Sequence, residues 1–392
     1  MFDFQKNVNT SLLHKHPYQI CSNCVMDTSD PWITFDDSGI CNHCNNYFDY
    51  LNHSIGSKED CDRELDKLVD HLKKAGKGKD YDCIMGLSGG VDSSYLSWYV
   101  VKKLGLRPLI VHVDAGWNSE LAVSNIQNLV EKLDIDLHTI VIDWEEMRDL
   151  QRSFFRSGIA NLDVPQDHAF VASLYSEAAK YGIKDILNGG NMQTESILPE
   201  SWGYDANDAR SLCSIQKRFG ARKLRSYPLY TQWHGLIYYP FLKNMRTHRP
   251  LEWLDYSKDN AKSFLMSEMG WRDYGGKHYE STFTKFFQAH YLPEKFGYDK
   301  RKAHLASLVV SNQMTREEAL EELNSPLYDA NELEQDRIYW CKKLGIELDE
   351  FYSVMNEAPH FYSDYPNNSK RNDLLRKHVK KAAKLYRYFI KK

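Results

Sequence analysis

The sequence predicts an α/β protein: a parallel, doubly wound sheet, with a small cysteine-rich ribbon before it and a mostly helical region after it. Three observations carry that prediction. Between residues 81 and 190, short apolar runs alternate with amphipathic helical stretches, the pattern of a parallel sheet covered on both faces. Four cysteines fall in two Cys-x-x-Cys pairs near the amino terminus. From about residue 205 the chain becomes aromatic-rich with helical periodicity. The expected units are residues 1–58, 59–204 and 205–392.

Taken in order, residues 1–20 read as an irregular lead-in, and 21–44 as the ribbon. Leu65, Leu68, Val69 and Leu72 place a helix over Glu59–Ala75, ending near Gly76 and Gly78. Tyr81–Leu87 is a buried strand bounded by glycines, and Val91–Leu104 a helix. Arg107–Val113 is the second strand, Ser119–Leu133 the second helix and Leu137–Ile142 the third strand. Asp167–Tyr181 is a helix, and Lys184–Asn188 a fourth strand before Gly189-Gly190. Beyond residue 205, helices are expected over Ser257–Met269, Thr282–Ala289, Lys300–Ser311, Thr315–Leu323 and Ala330–Leu344. Ser369–Lys392 carries ten Lys/Arg against one Asp, with Leu375, Val379, Ala382, Tyr386 and Phe389 on one helical stripe.

Cys21, Cys24, Cys41 and Cys44, with sixteen residues between the pairs, can present four thiolates to one tetrahedral Zn²⁺. Asp36-Asp-Ser-Gly39 reads as a ribbon hairpin turn. An iron–sulfur cluster uses the same ligands, and His43 belongs around the site rather than in it. A four-cysteine site is closed, so its metal is structural.

The chemistry lies in Leu87-Ser88-Gly89-Gly90-Val91-Asp92-Ser93-Ser94, between a predicted strand and a predicted helix. Glycines let backbone N–H groups approach an anion, the helix start adds partial positive charge, and the serines donate hydroxyls. Asp92 repels phosphate directly, so its role is to hold Mg²⁺ against it. The loop is no Walker A motif, which requires G-x-x-x-x-G-K-[ST]. A net charge of −4 does not advertise a polyanionic partner and disfavours nucleic acid. No signal-like segment or ~20-residue apolar run occurs, so a cytoplasmic protein with reduced thiols is expected.

The loop closely resembles the SGGxDS signature of the PP-loop ATP pyrophosphatases (adenine nucleotide alpha hydrolase-like fold), which cleave ATP between the α and β phosphates. That resemblance implies ATP contacts at Leu87, Ser88, Gly89, Gly90, Asp92, Ser93 and Ser94. It extends them to Val113 and Asp114 after the second strand, and to Gly189 and Gly190 after the fourth. Glu195 becomes a second Mg²⁺ ligand.

The segments Cys-x-x-Cys-Val-Met-Asp-Thr, Gly189-Gly-Asn191, Gly275-Gly-Lys277-His278-Tyr-Glu280-Ser281, Phe283-Thr-Lys285-Phe, Lys300-Arg-Lys302-Ala-His304 and Gln313-Met-Thr-Arg316 resemble the N-acetyl sugar amidotransferase family. The resemblance spans roughly 20–355. It implies replacement of an acetamido oxygen of a nucleotide-linked or related sugar by ammonia, giving an acetamidino sugar for bacterial surface glycans such as LPS O-antigen. Lys277, Lys285, Asp92 and Glu195 become catalytic candidates, and Asp167, His168, Asn191, His278, Glu280 and Lys302 substrate candidates. No glutaminase signature occurs, so ammonia is expected from separate glutaminase and cyclase-like subunits. Rival readings are a PP-loop tRNA-thiolation enzyme and a non-catalytic zinc-ribbon scaffold; outside the ribbon only Cys61, Cys83, Cys213 and Cys341 occur, with no Cys-x-x-Cys pair, which disfavours the first.

Overall fold

The computed structural model describes residues 17–54, 56–275 and 281–372. At its centre lies a five-stranded sheet in the order β3-β2-β1-β4-β5, with every neighbouring pair parallel. The strands are β1 (Cys83–Gly86), β2 (Pro108–Asp114), β3 (Leu137–Val141), β4 (Asp185–Leu187) and β5 (Arg246–His248). The chain winds outward from β1 through β2 to β3, then returns to β4 on the other side of β1. Loops leaving β1 and β4 therefore part in opposite directions, and the crevice between them is where such sheets bind ligands.

Fifteen α-helices surround the sheet among the described residues. The ribbon ends in α1 (Asn42–Ser54) and leads to α2 (Lys58–Ala75), whose Ser57 and Asp60 form a reciprocal capping box. Within the sheet region lie α3 (Val91–Trp98), α4 (Glu120–Leu133), α5 (Trp144–Arg156), α6 (Val164–Lys180) and α7 (Met192–Glu195). Then follow α8 (Ala209–Phe219) and α9 (Lys258–Met269), and the chain closes with α10 (Thr282–Phe286), α11 (Leu292–Phe296), α12 (Lys300–Val310), α13 (Arg316–Leu323), α14 (Ala330–Leu344) and α15 (Leu348–Asn356). None of the described helices is long and apolar enough to cross a membrane.

Alternation along each strand sends side chains to two different cores. Cys83, Met85 and Ile110 join Leu68, Leu96, Leu129 and Leu265 beneath α2, α3, α4 and α9. Ile84, Leu109 and Val111 face Ala178 of α6 and Tyr239 on the opposite side. A third cluster runs from Cys21 and Tyr47 of the ribbon through Phe154, Trp202 and Phe286 to Trp340 and Phe351. One continuous apolar cluster thus joins the ribbon, α5 and the carboxy-terminal helices.

Strands β1 to β4 and the helices expected between Glu59 and Leu344 fall within a few residues of their predicted places, while the helical stripe expected over Ser369–Lys392 lies, beyond residue 372, outside the described residues. Helices α1, α7, α8, α11 and α15 were not anticipated, nor were the three elements that follow. Strand β5 is three residues of polar edge, Arg-Thr-His. Helix α5 carries a buried stripe at helical spacing, Met147, Leu150 and Phe154, among its charges, and residues 234–242 form a wide π-helical turn containing Pro240. Helix α6 starts at Val164, not Asp167, with Pro165 in its first turn, a position that suits a residue lacking an N–H.

Candidate active site

The loop after β1 is held from behind and open in front. Gly89 has φ +85°, and a Cβ there would lie 3.1 Å from the Ala122 carbonyl oxygen, so only glycine fits. Trp271 donates its indole N–H to Gly89 O at 2.8 Å. His112 on β2 donates Nδ1–H to Leu87 O at 2.9 Å, while its Nε2 accepts from the Asn118 amide at 3.0 Å, so the ring is a strut between the two loops. Gly90 caps α3 without a side chain, leaving the first-turn N–H groups available to an anion. Ser88 Oγ accepts from Gly90 N–H at 3.2 Å and lies 3.1 Å from Ser93 Oγ. Ser94 is fully buried, and its Oγ has no hydrogen-bond partner among the described residues.

The loop after β4 comes against this one across the crevice. A Cβ on Gly189 would stand 3.3 Å from the Asp92 carbonyl carbon and from Ser93 N, so glycine is what allows the two backbones to meet. Gly190 N–H is turned onto Asn188 Oδ1 at 2.6 Å. Short helix α7 follows and carries Glu195.

Tyr256, which precedes α9, completes the arrangement; its hydroxyl donates to Asp92 Oδ1. Burial, then the charges of Asp92 and Glu195, push its pKa far above the ordinary phenol value, so it remains a donor. Its segment is stitched down by Gln193 Nε2–H donating to Leu254 O at 3.0 Å and by Lys258 N–H donating to Gln313 Oε1 at 3.0 Å. Asp92 bonds the Tyr256 hydroxyl and the charge of Glu195 acts on the same phenol, so both carboxylates border it, and carboxylate oxygens are the donor type that suits a hard cation such as Mg²⁺. Sequence reasoning missed Tyr256, because 164 positions separate it from Asp92 and no local pattern marks it.

At the end of β2, Asp114 Oδ1 accepts from Gly116 N–H at 2.7 Å and from Asn118 at 3.2 Å. Gly116 has φ +85°, and a Cβ there would come within 2.7 Å of the Trp144 ring. Lys343 of α14 donates to Gly116 O and sits 4.5 Å over Trp117. Ser281 pairs with Asn118, and Thr282 N–H bonds Trp117 O at 3.2 Å. Lys277, His278 and Glu280 lie outside the described residues.

The other predicted residues have different surroundings. Lys285 pairs with Glu332 and, at 3.3 Å, with Asp336, both on α14. Asp167 is exposed in the first turn of α6, whose N-cap position belongs to Asp163. His168 is fully buried, its Nδ1 bonded to Ala206 O at 2.7 Å and its Nε2 accepting Tyr230 N–H at 2.8 Å. With both nitrogens on backbone it positions loops, and burial lowers its pKa. Asn191 is the N-cap of α7, accepting from Gln193 and Thr194 N–H at 3.1 and 2.9 Å. Lys302 forms an ion pair with fully buried Asp27.

In the ribbon, Cys21, Cys24, Cys41 and Cys44 are fully buried, with all four sulfurs within 4.8 Å of one another. Sulfur–sulfur distances of 3.6, 3.7 and 3.9 Å match the edge of about 3.8 Å for a tetrahedron with metal–sulfur bonds near 2.3 Å. Backbone N–H groups of Asn23, Cys24 and Cys41 point at Cys21 Sγ from 3.2 to 3.4 Å, as thiolates require. The donors fit Zn²⁺. His43 bonds Asp30 at 2.8 Å, outside the ligand set. Arg316 donates to the carbonyls of Cys21 and Cys24 at 3.0 and 3.1 Å, fixing α13 to the knuckle.

No curated protein sequence matches the chain. Among solved structures, similar folds include the NH3-dependent NAD synthetase of Campylobacter jejuni, at 14% identity over 40% of this chain and 72% of that one, with a TM-score of 0.28. The NMN synthetase of Francisella tularensis is similar at 17% identity over 55% and 97%, TM-score 0.27. A predicted tRNA methyltransferase subunit from Methanocaldococcus jannaschii stands at 16% over 47% and 75%, TM-score 0.28. In the carboxy-terminal region, residues 280–381, a quarter of the chain, match the model of the C-terminal domain of the WbpG-like LPS biosynthesis proteins.

Proposed function

We propose that this chain is the synthetase part of an ATP-dependent, AMP-forming amidotransferase that converts the acetamido group of an N-acetyl sugar into an acetamidino group for surface-glycan synthesis. The acetamido oxygen attacks the α-phosphorus of ATP and pyrophosphate leaves. Ammonia then adds to the imidate carbon, and AMP departs with the former carbonyl oxygen, leaving the protonated amidine.

The observation that supports the reading is the meeting of two glycine loops at the β1/β4 crevice, with Asp92 and Glu195 together beside open helix N–H groups. Those N–H groups and the serine hydroxyls take the charge of departing pyrophosphate. Asp92 and Glu195 would hold Mg²⁺, which neutralises phosphate charge when bound. The WbpG-like match of residues 280–381 supports the glycan side of the reading. A tRNA-thiolation role fits less well: Cys83 is fully buried at the amino-terminal end of β1, away from the crevice. No second metal-ligating cluster occurs among the described residues.

The test is to incubate the chain with ATP, Mg²⁺, ammonium salt and a panel of nucleotide-linked N-acetyl sugars, adding glutaminase subunits if needed. Mass spectrometry should find the change of O to NH alongside AMP and pyrophosphate, lost in Asp92→Ala. AMP formation with every sugar unchanged would refute the substrate assignment and leave the adenylating chemistry standing.

A further inference from the structure

Residues 234–242 form a π-helical turn on the α6 side of the sheet. Its inward side is well packed: Tyr239 is buried and its ring lies 4.9 Å from Tyr175 and 5.7 Å from Tyr230. The outward side is apolar and uncovered. Phe241 is 76% exposed, Leu242 64%, Trp233 54%, Leu236 49% and Ile237 40%. A single exposed leucine is ordinary, whereas five large apolar side chains on one short segment mark a contact surface.

Charge identifies what makes the contact. Residues 209–251 contain nine Lys/Arg and no Asp or Glu, in a chain whose net charge is −4. Some of these cations are engaged, Arg222 by Glu145 at 3.0 Å and Arg249 by Glu252 at 3.3 Å. Lys243 and Arg246, immediately after the apolar side chains, have no carboxylate at ion-pair distance among the described residues. Gln232, beside Trp233, donates to Asn372 at 2.7 Å, and the following residues 373–392 add eight Lys/Arg against one Asp. Among the described residues, Lys243 and Arg246 thus border the apolar face, and the sequence that follows Asn372 is itself basic.

We propose that this face, centred on Trp233, Phe241, Leu242, Lys243 and Arg246, docks peripherally on an anionic lipid bilayer. An acyl boundary accepts the aromatic and aliphatic side chains, while anionic headgroups meet the lysine and arginine. A second copy packed face to face would set basic residues against basic residues. Nucleic acid is matched by aromatic platforms, not by Leu236, Ile237 and Leu242. The proposal does not depend on the sugar substrate.

Co-sedimentation of the full chain with large unilamellar vesicles tests it. Binding is expected to phosphatidylcholine vesicles containing phosphatidylglycerol, not to phosphatidylcholine alone, and to weaken with salt. Phe241→Asp with Leu242→Asp should reduce binding by at least on the order of tenfold. Lys243→Ala with Arg246→Ala should reduce it roughly thirtyfold, while the melting temperature of both variants stays near that of the parent. Equal binding to both vesicle types, or undiminished binding by the Asp variant, would overturn the proposal. So would a concentration-dependent dimer abolished by the Asp variant without vesicle binding, or single-stranded oligonucleotide binding in place of vesicle binding.

Discussion

Tyr256→Phe removes one oxygen from the crevice and leaves the ring in place beside Tyr95, 5.5 Å away. In the parent, the phenol donates to Asp92 and stays protonated, because burial and the neighbouring carboxylates disfavour phenolate. A hydrogen bond to a charged group is worth about 1.5–3 kcal/mol. Its loss frees the Asp92 carboxylate to rotate away from the orientation that the Tyr256 hydroxyl holds. The expected outcome is a fall in the Mg²⁺-dependent gain in ATP affinity on the order of tenfold to hundredfold. ATP affinity without Mg²⁺ should stay as in the parent, since the loop N–H groups and hydroxyls are untouched. The same lost bond should lower the melting temperature by a few degrees. Isothermal titration calorimetry with and without Mg²⁺, beside a thermal melt, measures both. A variant with the full Mg²⁺-dependent gain and an unchanged melt would refute the positioning role.

Cys24→Ser should abolish zinc retention in metal analysis and strip hydrogen-exchange protection from residues 17–54, because the ligand set is closed and the ribbon shares its core with α10, α14 and α15. Lys302→Met should cost about 3–5 kcal/mol by leaving Asp27 buried and uncompensated. Adding Asp27→Asn should recover much of the loss in denaturant titrations. Burial and nearby Arg337 push the His290 pKa down to about 4, below its unfolded value of about 6.5. Between those values the unfolded chain takes up the proton and the folded chain does not. Its contribution to stability is therefore present above about pH 6.5 and is lost as pH falls toward 4, by up to about 1.4 kcal/mol per pH unit. His290→Phe should flatten that part of the stability–pH curve measured by denaturant titration.

The parts legible in the sequence are those governed by local chemistry. Gly89-Gly90 after an apolar run had to be a strand-to-helix turn, and the paired cysteines had to converge. Strand β5 escaped because an edge strand of Arg-Thr-His lacks the apolar run that announced β1 and β2. The π-helical turn escaped because a segment apolar on every side has no periodicity to read. Asn191 and His168 were chosen as polar residues near motifs, and the structure gives them partners in backbone: one caps α7, the other ties Ala206 to Tyr230. Tyr256 was unreadable for a different reason, since only the folded chain brings the start of α9 to the first turn of α3.

The staple between ribbon and helices also has a consequence in time. Asp27 leaves the ribosome 275 residues before Lys302, and Cys24 precedes Arg316 by 292 residues. At synthesis rates of about 5–20 residues per second, the first interval lasts roughly 14–55 s. Throughout it, the nascent ribbon lacks the cation that neutralises Asp27 and the guanidinium that holds its knuckle carbonyls. A metal held by the four thiols would keep the ribbon in shape during that wait, and with zinc as that metal a cell starved of it is expected to lose this protein during translation rather than afterwards.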